Sequence, residues 1–485
     1  MKSLKALFVL ALAVALTVPA YAETQNVKVS GAIDAYWFNR HNYDLQKGND
    51  ISIAPPGTGS AAYGPHTTGT ADDNYRADTA NFFRSNTQVE IAADLTDNVS
   101  TVINIVNQRD WNASTHVAPV AAGTAGSITP DNTPAEFDID LDLAYVQMKE
   151  IFYSPLTLTI GRQDLWFGRG FIVGNNNRAW DANAATIADE YSVTTAFDAV
   201  RATLDFNPWT IDLAYSKITA NAANSNDDRD LYIANVNYKF AEYNAVAEGY
   251  YVGEFDRAQL SLGATTVGSN DTHTIGGRVQ FDPISQITLG GELAYQFGGY
   301  RAAATNPSRD RSAWATDIFG TYRWDYTWKP EVTVEYVLFS GESDLSATTS
   351  DYGAWNALYR GKFWTAYSDF REFQFGTGDA VDQPGSTNVQ FIQVKGALKP
   401  MEDLLLEASF TYLWNDAPVH TVPGVQTSPT RSDEIGWEID TQATYDYTED
   451  VSFGLLMGWF VPGSFYVAPN NQTAQDIVAS VKVTF

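Results

Sequence analysis

The sequence predicts an all-β fold, a transmembrane antiparallel β-barrel of about eighteen strands with short periplasmic turns and long extracellular loops. Three observations carry this reading. Apolar and polar residues alternate with period two through most of the 485 residues. The segments between alternating runs are long and short in strict turn. Beyond the first residues no run of eighteen apolar residues occurs, so no helix is long enough to span a bilayer, while aromatic residues reach 13%, as a barrel with an apolar outer face and aromatic girdles requires.

The opening "MKSLKALFVLALAVALTVPAYA" has Lys2 and Lys5, a short apolar run and a small-x-small end at Ala20-Tyr21-Ala22. It reads as a cleaved secretory signal over residues 1–22, leaving 23–485 as one outer-membrane β-barrel domain. Strands are then expected near 26–38, 82–95, 98–109, 136–149, 155–163, 197–206, 208–217, 229–240, 242–253, 272–282, 284–298, 312–325, 329–340, 388–399, 402–414, 432–448, 450–460 and 474–485. "EDLLLEASFTYLW" is typical: Leu404, Leu406, Ala408, Phe410, Tyr412 and Trp414 form one series, Asp403, Glu407, Ser409 and Thr411 the other. In "SDEIGWEIDTQATYDYT" Ile435, Trp437 and Ile439 fall in the lipid series, Glu438 and Asp440 in the polar one. The short connections are "TDN", "IFYSP", "NP", "AE", "DPIS", "DYTWKP", "KPMED" and "TED"; the long ones include 39–81, 164–196 and 341–387. Such segregation puts short turns on the periplasmic rim.

The final strand, "AQDIVASVKVTF", alternates to its last residue, with only Val478 breaking the polar series. A strand with one greasy face needs a neighbour on each edge. Pairing with the first strand, "NVKVSGAIDAYWF", closes the ring and removes the edge. Phe485 resembles the terminal aromatic that the outer-membrane assembly machinery reads.

Composition excludes several functions. The net charge is −28, and loss of Lys2 and Lys5 with the leader makes it more negative, which excludes nucleic acid as a partner. Without cysteine there are no thiolate metal sites or Cys nucleophiles. His41, His66, His116, His273 and His420 form no HExxH motif or close ligand pair, so no cofactor, metal or catalytic site is expected and the chain is not expected to be an enzyme. A barrel of this size encloses a wide lumen, and the inward series is polar and charged, with acids outnumbering bases. The partners implied are outer-membrane lipid and a hydrophilic small solute or oligosaccharide.

One long loop stands apart, running from "GRQDLWFGRGFIVG" to "FDAVRATLDF". Gly161-Arg162-Gln163, Gly168, Gly174, Trp180 and Phe197-Asp198-Ala199-Val200-Arg201 resemble the alginate-export family of outer-membrane proteins. "EIGWEIDTQATYDYTEDVSFGLLMGWFVPG" is similar to that family's penultimate hairpin. The resemblance implies an eighteen-stranded porin-like barrel with arginine-rich charge around a constriction for anionic saccharides. The loop 163–196 is accordingly expected to fold inward, with Arg162, Asp164, Arg169, Asp198, Arg201 and Arg278 around the narrowest point. Strict alternation in "LTLTIGRQ" puts Arg162 on the lipid side, so either a bulge at Gly161 resets the phase or Arg162 lies above the membrane. The alternative reading is a surface adhesin or receptor barrel, with aromatic loops such as "DYGAWNALYRGKFWTAYSDFREF" stacking on sugars.

N-terminal sequencing of outer-membrane material is expected to begin at Glu23; a retained Met1 would remove the export reading.

Overall fold

The computed structural model describes residues 26–43, 45, 79–111, 139–176, 189–220, 228–257, 270–301, 308–342, 351–363, 365–369, 387–418, 432–466 and 471–485. Eighteen strands form one sheet: β1 (Asn26–His41), β2 (Thr79–Thr96), β3 (Val99–Asp110), β4 (Asp140–Met148), β5 (Leu156–Gln163), β6 (Phe197–Asp205), β7 (Trp209–Thr219), β8 (Arg229–Lys239), β9 (Val246–Asp256), β10 (Asn270–Ile284), β11 (Ile287–Tyr300), β12 (Arg309–Arg323), β13 (Glu331–Phe339), β14 (Val389–Met401), β15 (Leu404–Trp414), β16 (Glu434–Asp446), β17 (Val451–Pro462) and β18 (Ala474–Thr484). Each pairs antiparallel with its chain neighbours, and β1 also pairs with β18, from Ala32 opposite Thr484 to His41 opposite Gln475. The seam ends in a reciprocal pair of backbone hydrogen bonds, Gly31 N–H to Phe485 O at 2.8 Å and Phe485 N–H to Gly31 O at 3.0 Å. A Cβ on Gly31 would stand 2.6 Å from the Phe485 ring, so glycine lets the terminal aromatic lie across the closing seam. Among the described residues no helix is long and apolar enough to cross a membrane; the crossing is made by strands.

The outer phase is apolar. Leu213, Val279, Leu293 and Ile318 are about half exposed on it. Aromatic rings bound it at both ends. Near the short turns Trp209, Tyr238 and Phe240 follow at 4.5 and 4.6 Å. Near the long loops Tyr215, Tyr232, Phe255, His273 and Phe297 form a chain at 5.1–5.5 Å across β7 to β11. Amphipathic rings at each water interface leave the apolar band between them.

The inner phase departs from the sequence expectation. It is polar toward the short turns but mixed toward the long loops, where Leu231, Ala313, Val337, Phe339, Phe391, Leu413 and Phe460 are almost fully buried beside charged residues such as Arg311 and Glu438. The apolar ones belong to one cluster with Leu165, Phe171, Ile172, Val173, Trp355, Leu358 and Tyr359 from two loops inside the barrel. Ile435 is in that cluster too, not in the lipid series: Gly436, at φ +144°, sits where the β15–β16 register shifts, and the shift turns Ile435 inward while Trp437 and Ile439 keep the outer phase. Val478, the break in the polar series of β18, keeps the inward phase in an unbroken register and packs beside Phe38.

Leu293→Arg, on the outer face of β11, is expected to cost about 2–4 kcal/mol if it lies at mid-membrane depth. The check is a fall in folded yield, read as loss of the heat-modifiable band in gel electrophoresis.

Candidate functional site

The loops after β5 and β13 pack inside the barrel against its inner wall and against each other. The first leaves the wall at Gln163, whose amide nitrogen donates to Ala199 O at 3.0 Å. It continues as a two-stranded arm: Asn175 N–H donates to Leu165 O at 2.9 Å, Phe167 N–H to Val173 O at 3.0 Å and Gly170 N–H to Phe167 O at 2.9 Å. Gly168 and Gly170 form the tip at φ +56° and +78°, a backbone region that disfavours side chains. A Cβ on Gly170 would also meet the Trp166 ring at 2.6 Å. The apolar face of the arm, Phe171, Ile172 and Val173, is buried in the inner cluster.

The same loop returns on the opposite wall. Tyr191 packs 5.0 Å from both Tyr36 and Phe38, its carbonyl accepts from Asn86 at 2.9 Å, and Gln108 donates to Thr194 at 2.8 Å. Buried Arg40 on β1 pairs with Glu190 of the loop and lies 3.5 Å from Asp476 on β18.

The loop after β13 crosses to meet the arm. It is fastened at one end to β10–β12: Asn356 and Gln296 exchange two 2.8 Å hydrogen bonds, and Arg311 donates to Ala354 O at 2.9 Å. At the other end Glu438 of β16 accepts from Tyr367 N–H at 2.6 Å and from Ser368 through N–H at 3.2 Å and hydroxyl at 2.7 Å, while Tyr367 stacks on Phe460 at 4.5 Å. Asp369 folds the tip back by accepting from Phe363 and Thr365 N–H. Burial pushes the Asp369 carboxyl up to about 7, against the pull of Arg360 and Lys362; burial likewise lowers Arg360, and Asp369 opposes it. The loops are joined backbone to backbone, Gly174 N–H to Tyr359 O at 2.7 Å, Tyr359 N–H to Ile172 O at 3.2 Å and Gly361 N–H to Gly170 O at 2.8 Å.

Between these loops and β12–β14 lies a cavity of about 310 Å³, lined by Arg169, Arg360, Lys362 and Lys395, by Asp317 and Glu335, by Phe171, Phe319 and Phe363, and by Thr321, Thr333 and Gln393 among others. Arg169, one residue beyond Gly168, reaches from the arm to the far wall: it bonds Asp317 at 2.8 Å and Glu335 at 2.7 Å, its guanidinium 3.8 Å from the Phe319 ring centre. Lys395 is 2.9 Å from Glu407.

The expected constriction residues separate. Arg169, Arg201 and Arg278 face the lumen. Arg201 is 2.8 Å from Asp212 and 5.2 Å from the Phe167 ring centre, and Arg278 is 3.1 Å from Glu248, both close to the arm. Arg162 and Asp198 do not join them. The ladder runs unbroken through Gly161, with Arg162 opposite Ala144 and Asp198, so the phase is not reset. The pair stands on the outer face, 4.0 Å apart, with the Asp198 side chain 67% exposed. It sits one outward position past the Val200–Tyr215 pair, on the long-loop side of the aromatic girdle. Arg162 is tied down by a 2.9 Å hydrogen bond to Leu141 O. Asp164 is exposed at the root of the arm. The acids holding the lumen arginines are therefore Asp212, Glu248, Asp317 and Glu335 on the wall, not Asp164 and Asp198. Arg360, Lys362 and Phe363 lie in the segment that the alternative reading uses as a surface loop; its density of Trp, Tyr and Phe fits burial as well as sugar stacking.

A sequence profile of the alginate export family matches residues 66–480. The chain belongs to the alginate export family. No curated protein sequence matches it. Solved porin structures share the fold at low identity. OccAB1 of Acinetobacter baumannii is 12% identical, over 96% of this chain and 99% of that one, with a TM-score of 0.54. A BenF-like porin of Pseudomonas fluorescens Pf-5 is 11% identical, over 95% and 100%, with a TM-score of 0.53. OccK2 (OpdF) of Pseudomonas aeruginosa, solved in complex with glucuronate, is 9% identical, over 95% and 97%, with a TM-score of 0.51. This member of the alginate export family is thus an outer-membrane channel for solutes, an eighteen-stranded antiparallel barrel narrowed by two inward loops.

A Cβ on Gly174 would collide with Gly361 N. Gly174→Val is therefore expected to part the two loops and raise single-channel conductance in planar bilayers, with the barrel's heat-modifiable mobility unchanged.

Proposed function

We propose that the channel passes small hydrophilic acids, of the size of a carboxylated monosaccharide, by passive diffusion past the cavity between the loops and β12–β14. One observation carries this reading: the cavity gathers Arg169, Arg360, Lys362 and Lys395 against Asp317 and Glu335, in a chain with 58 acidic and 30 basic residues. A locally positive chamber in a negative molecule favours a carboxylate there. Guanidinium and ammonium donors suit its oxygens, Phe319 and Phe363 offer rings for the apolar face of a sugar, and Thr321, Thr333 and Gln393 offer partners for hydroxyls. The volume is at the small end of the range for small-molecule sites. That favours one solute at a time over an extended polymer, as do the two loops meeting across the lumen. The glucuronate bound by OccK2 is a solute of this class. The adhesin reading has less to stand on, since 351–363 and 365–369 pack inside the barrel. The reading includes export with removal of residues 1–22, and assembly aided by Phe485 at the closing seam.

Glucuronate is expected to interrupt single-channel current more than glucose does at equal concentration. Lys362→Gln combined with Lys395→Gln is expected to weaken that block by about tenfold, the worth of one charge-assisted hydrogen bond. Equal block by the two sugars would overturn the reading.

A further inference from the structure

The inner face of β9 to β13 carries an acidic row. Glu248 stands opposite Arg278, Arg278 opposite Glu292, and Glu292 opposite Asp317. Glu335 stands opposite Phe319, one inward step from Asp317 along β12. Facing residues in an antiparallel ladder are in side-chain contact, and diagonal ones are within reach of long side chains. Four carboxylates are thus lined up along five neighbouring strands, and the wall supplies one cation among them, Arg278, bound to Glu248 at 3.1 Å. Glu292 is 6% exposed; one oxygen accepts from Tyr250 at 2.7 Å, and the other is buried without a hydrogen-bond partner among the described residues.

The second cation does not come from the wall. It is Arg169, carried on the arm between β5 and β6, bridging Asp317 and Glu335 with two short contacts. The position of the arm is set in turn by its tip glycines and by the backbone bonds to the loop after β13. Arg169 is a counter-ion carried on a loop and facing a row of acids set in the wall.

We propose that Arg169 governs the channel's charge selectivity: with the arm docked it offsets the Asp317–Glu335 end of the acidic row, and without it the same wall selects cations. The charge inventory argues for this. Apart from Arg169 the cavity holds Arg360, Lys362 and Lys395 against Asp317 and Glu335, and Glu407 pairs with Lys395 at 2.9 Å. Cations and acids then balance, and Glu292, beside Asp317 in the row, tips the sum negative. Arg201 and Arg278 each pair with a wall acid, Asp212 and Glu248, whereas Arg169 bridges two. Because Arg169 rides on a loop, opening and selectivity are coupled: an arm that lifts away widens the path and exposes the acids together. The proposal rests on the channel reading but not on the solute.

The test is the reversal potential across a planar bilayer in a KCl gradient, with no organic solute present, which keeps it separate from block by glucuronate. Arg169→Gln is expected to move the reversal potential toward that of potassium. The chain has no cysteine, so Arg169→Cys carries the only thiol. Reaction with a cationic methanethiosulfonate reagent is expected to restore the wild-type value, and an anionic reagent of similar size to drive it further toward potassium. If either variant fails to reach the membrane, Glu335→Gln is used instead and is expected to shift the potential toward chloride. An unchanged reversal potential in Arg169→Gln, equal effects of the two reagents, or no shift in Glu335→Gln would overturn the proposal, and glucuronate block that persists in such a channel would leave the channel reading intact.

Discussion

Everything in this molecule follows from one constraint: no backbone amide can be left unpaired in hydrocarbon. The first strand must find the last, and Gly31 and Phe485 complete the ring with two reciprocal hydrogen bonds. Closure with eighteen strands fixes a lumen wider than inward side chains can fill, unlike an eight-stranded barrel. The space then belongs to water or to more protein, and here two loops take much of it. Their docking is an ordinary hydrophobic event inside a membrane protein. Phe171, Ile172, Trp355 and Tyr359 bury themselves against Val337, Phe339 and Phe391, at roughly 25 cal/mol for each Å² of apolar surface removed from water.

That docking explains why one inner face has two chemistries. Where loops cover the wall, its apolar inward positions form a core with them, and its charged ones, such as Glu438, Arg311 and Arg40, bind them. Nearer the short turns the inward positions are polar. The cavity sits where the two regimes meet, so a solute there touches rings and charges together. Ion pairs at such a boundary add little net stability, since desolvation offsets much of the attraction. What Arg169 gains from Asp317 and Glu335 is a fixed position, and fixed charges are what a passing ion senses.

Strand number, loop segregation and ring closure were legible in the sequence because each depends on local periodicity. The inward fold of the loop after β5 was legible from its length, its glycines and its arginines. The limits are equally physical. Ile435 was misassigned because one residue of register shift reverses every phase beyond it, and only the φ of Gly436 reveals the shift. Arg162 and Asp198 were grouped with Arg201 because they are near in sequence, yet a strand sends neighbours to opposite faces. Arg169 and Asp317 are 148 residues apart, and nothing local to either marks the other. The place of the loop after β13 is not legible, because aromatic richness fits sugar stacking, the alternative reading, and burial equally well. Val478, an apolar residue in a polar series, was the one visible sign that the inner face has a dry half.

The loops are joined by a different kind of interaction from the one that lines the cavity. Gly170, Ile172, Gly174, Tyr359 and Gly361 meet through main-chain hydrogen bonds, and the two close approaches, at Gly174 and Gly361, exclude side chains rather than require particular ones. Arg169, Lys362, Phe363 and Lys395 act through side chains that the junction does not use. Contacts that share no partner contribute independently, so substitution at the cavity can retune what passes without unhitching the loops, and substitution at the glycines can change how far the path opens without altering the groups along it. Arg169 is where the two properties meet, because its charge belongs to the cavity and its place belongs to the arm.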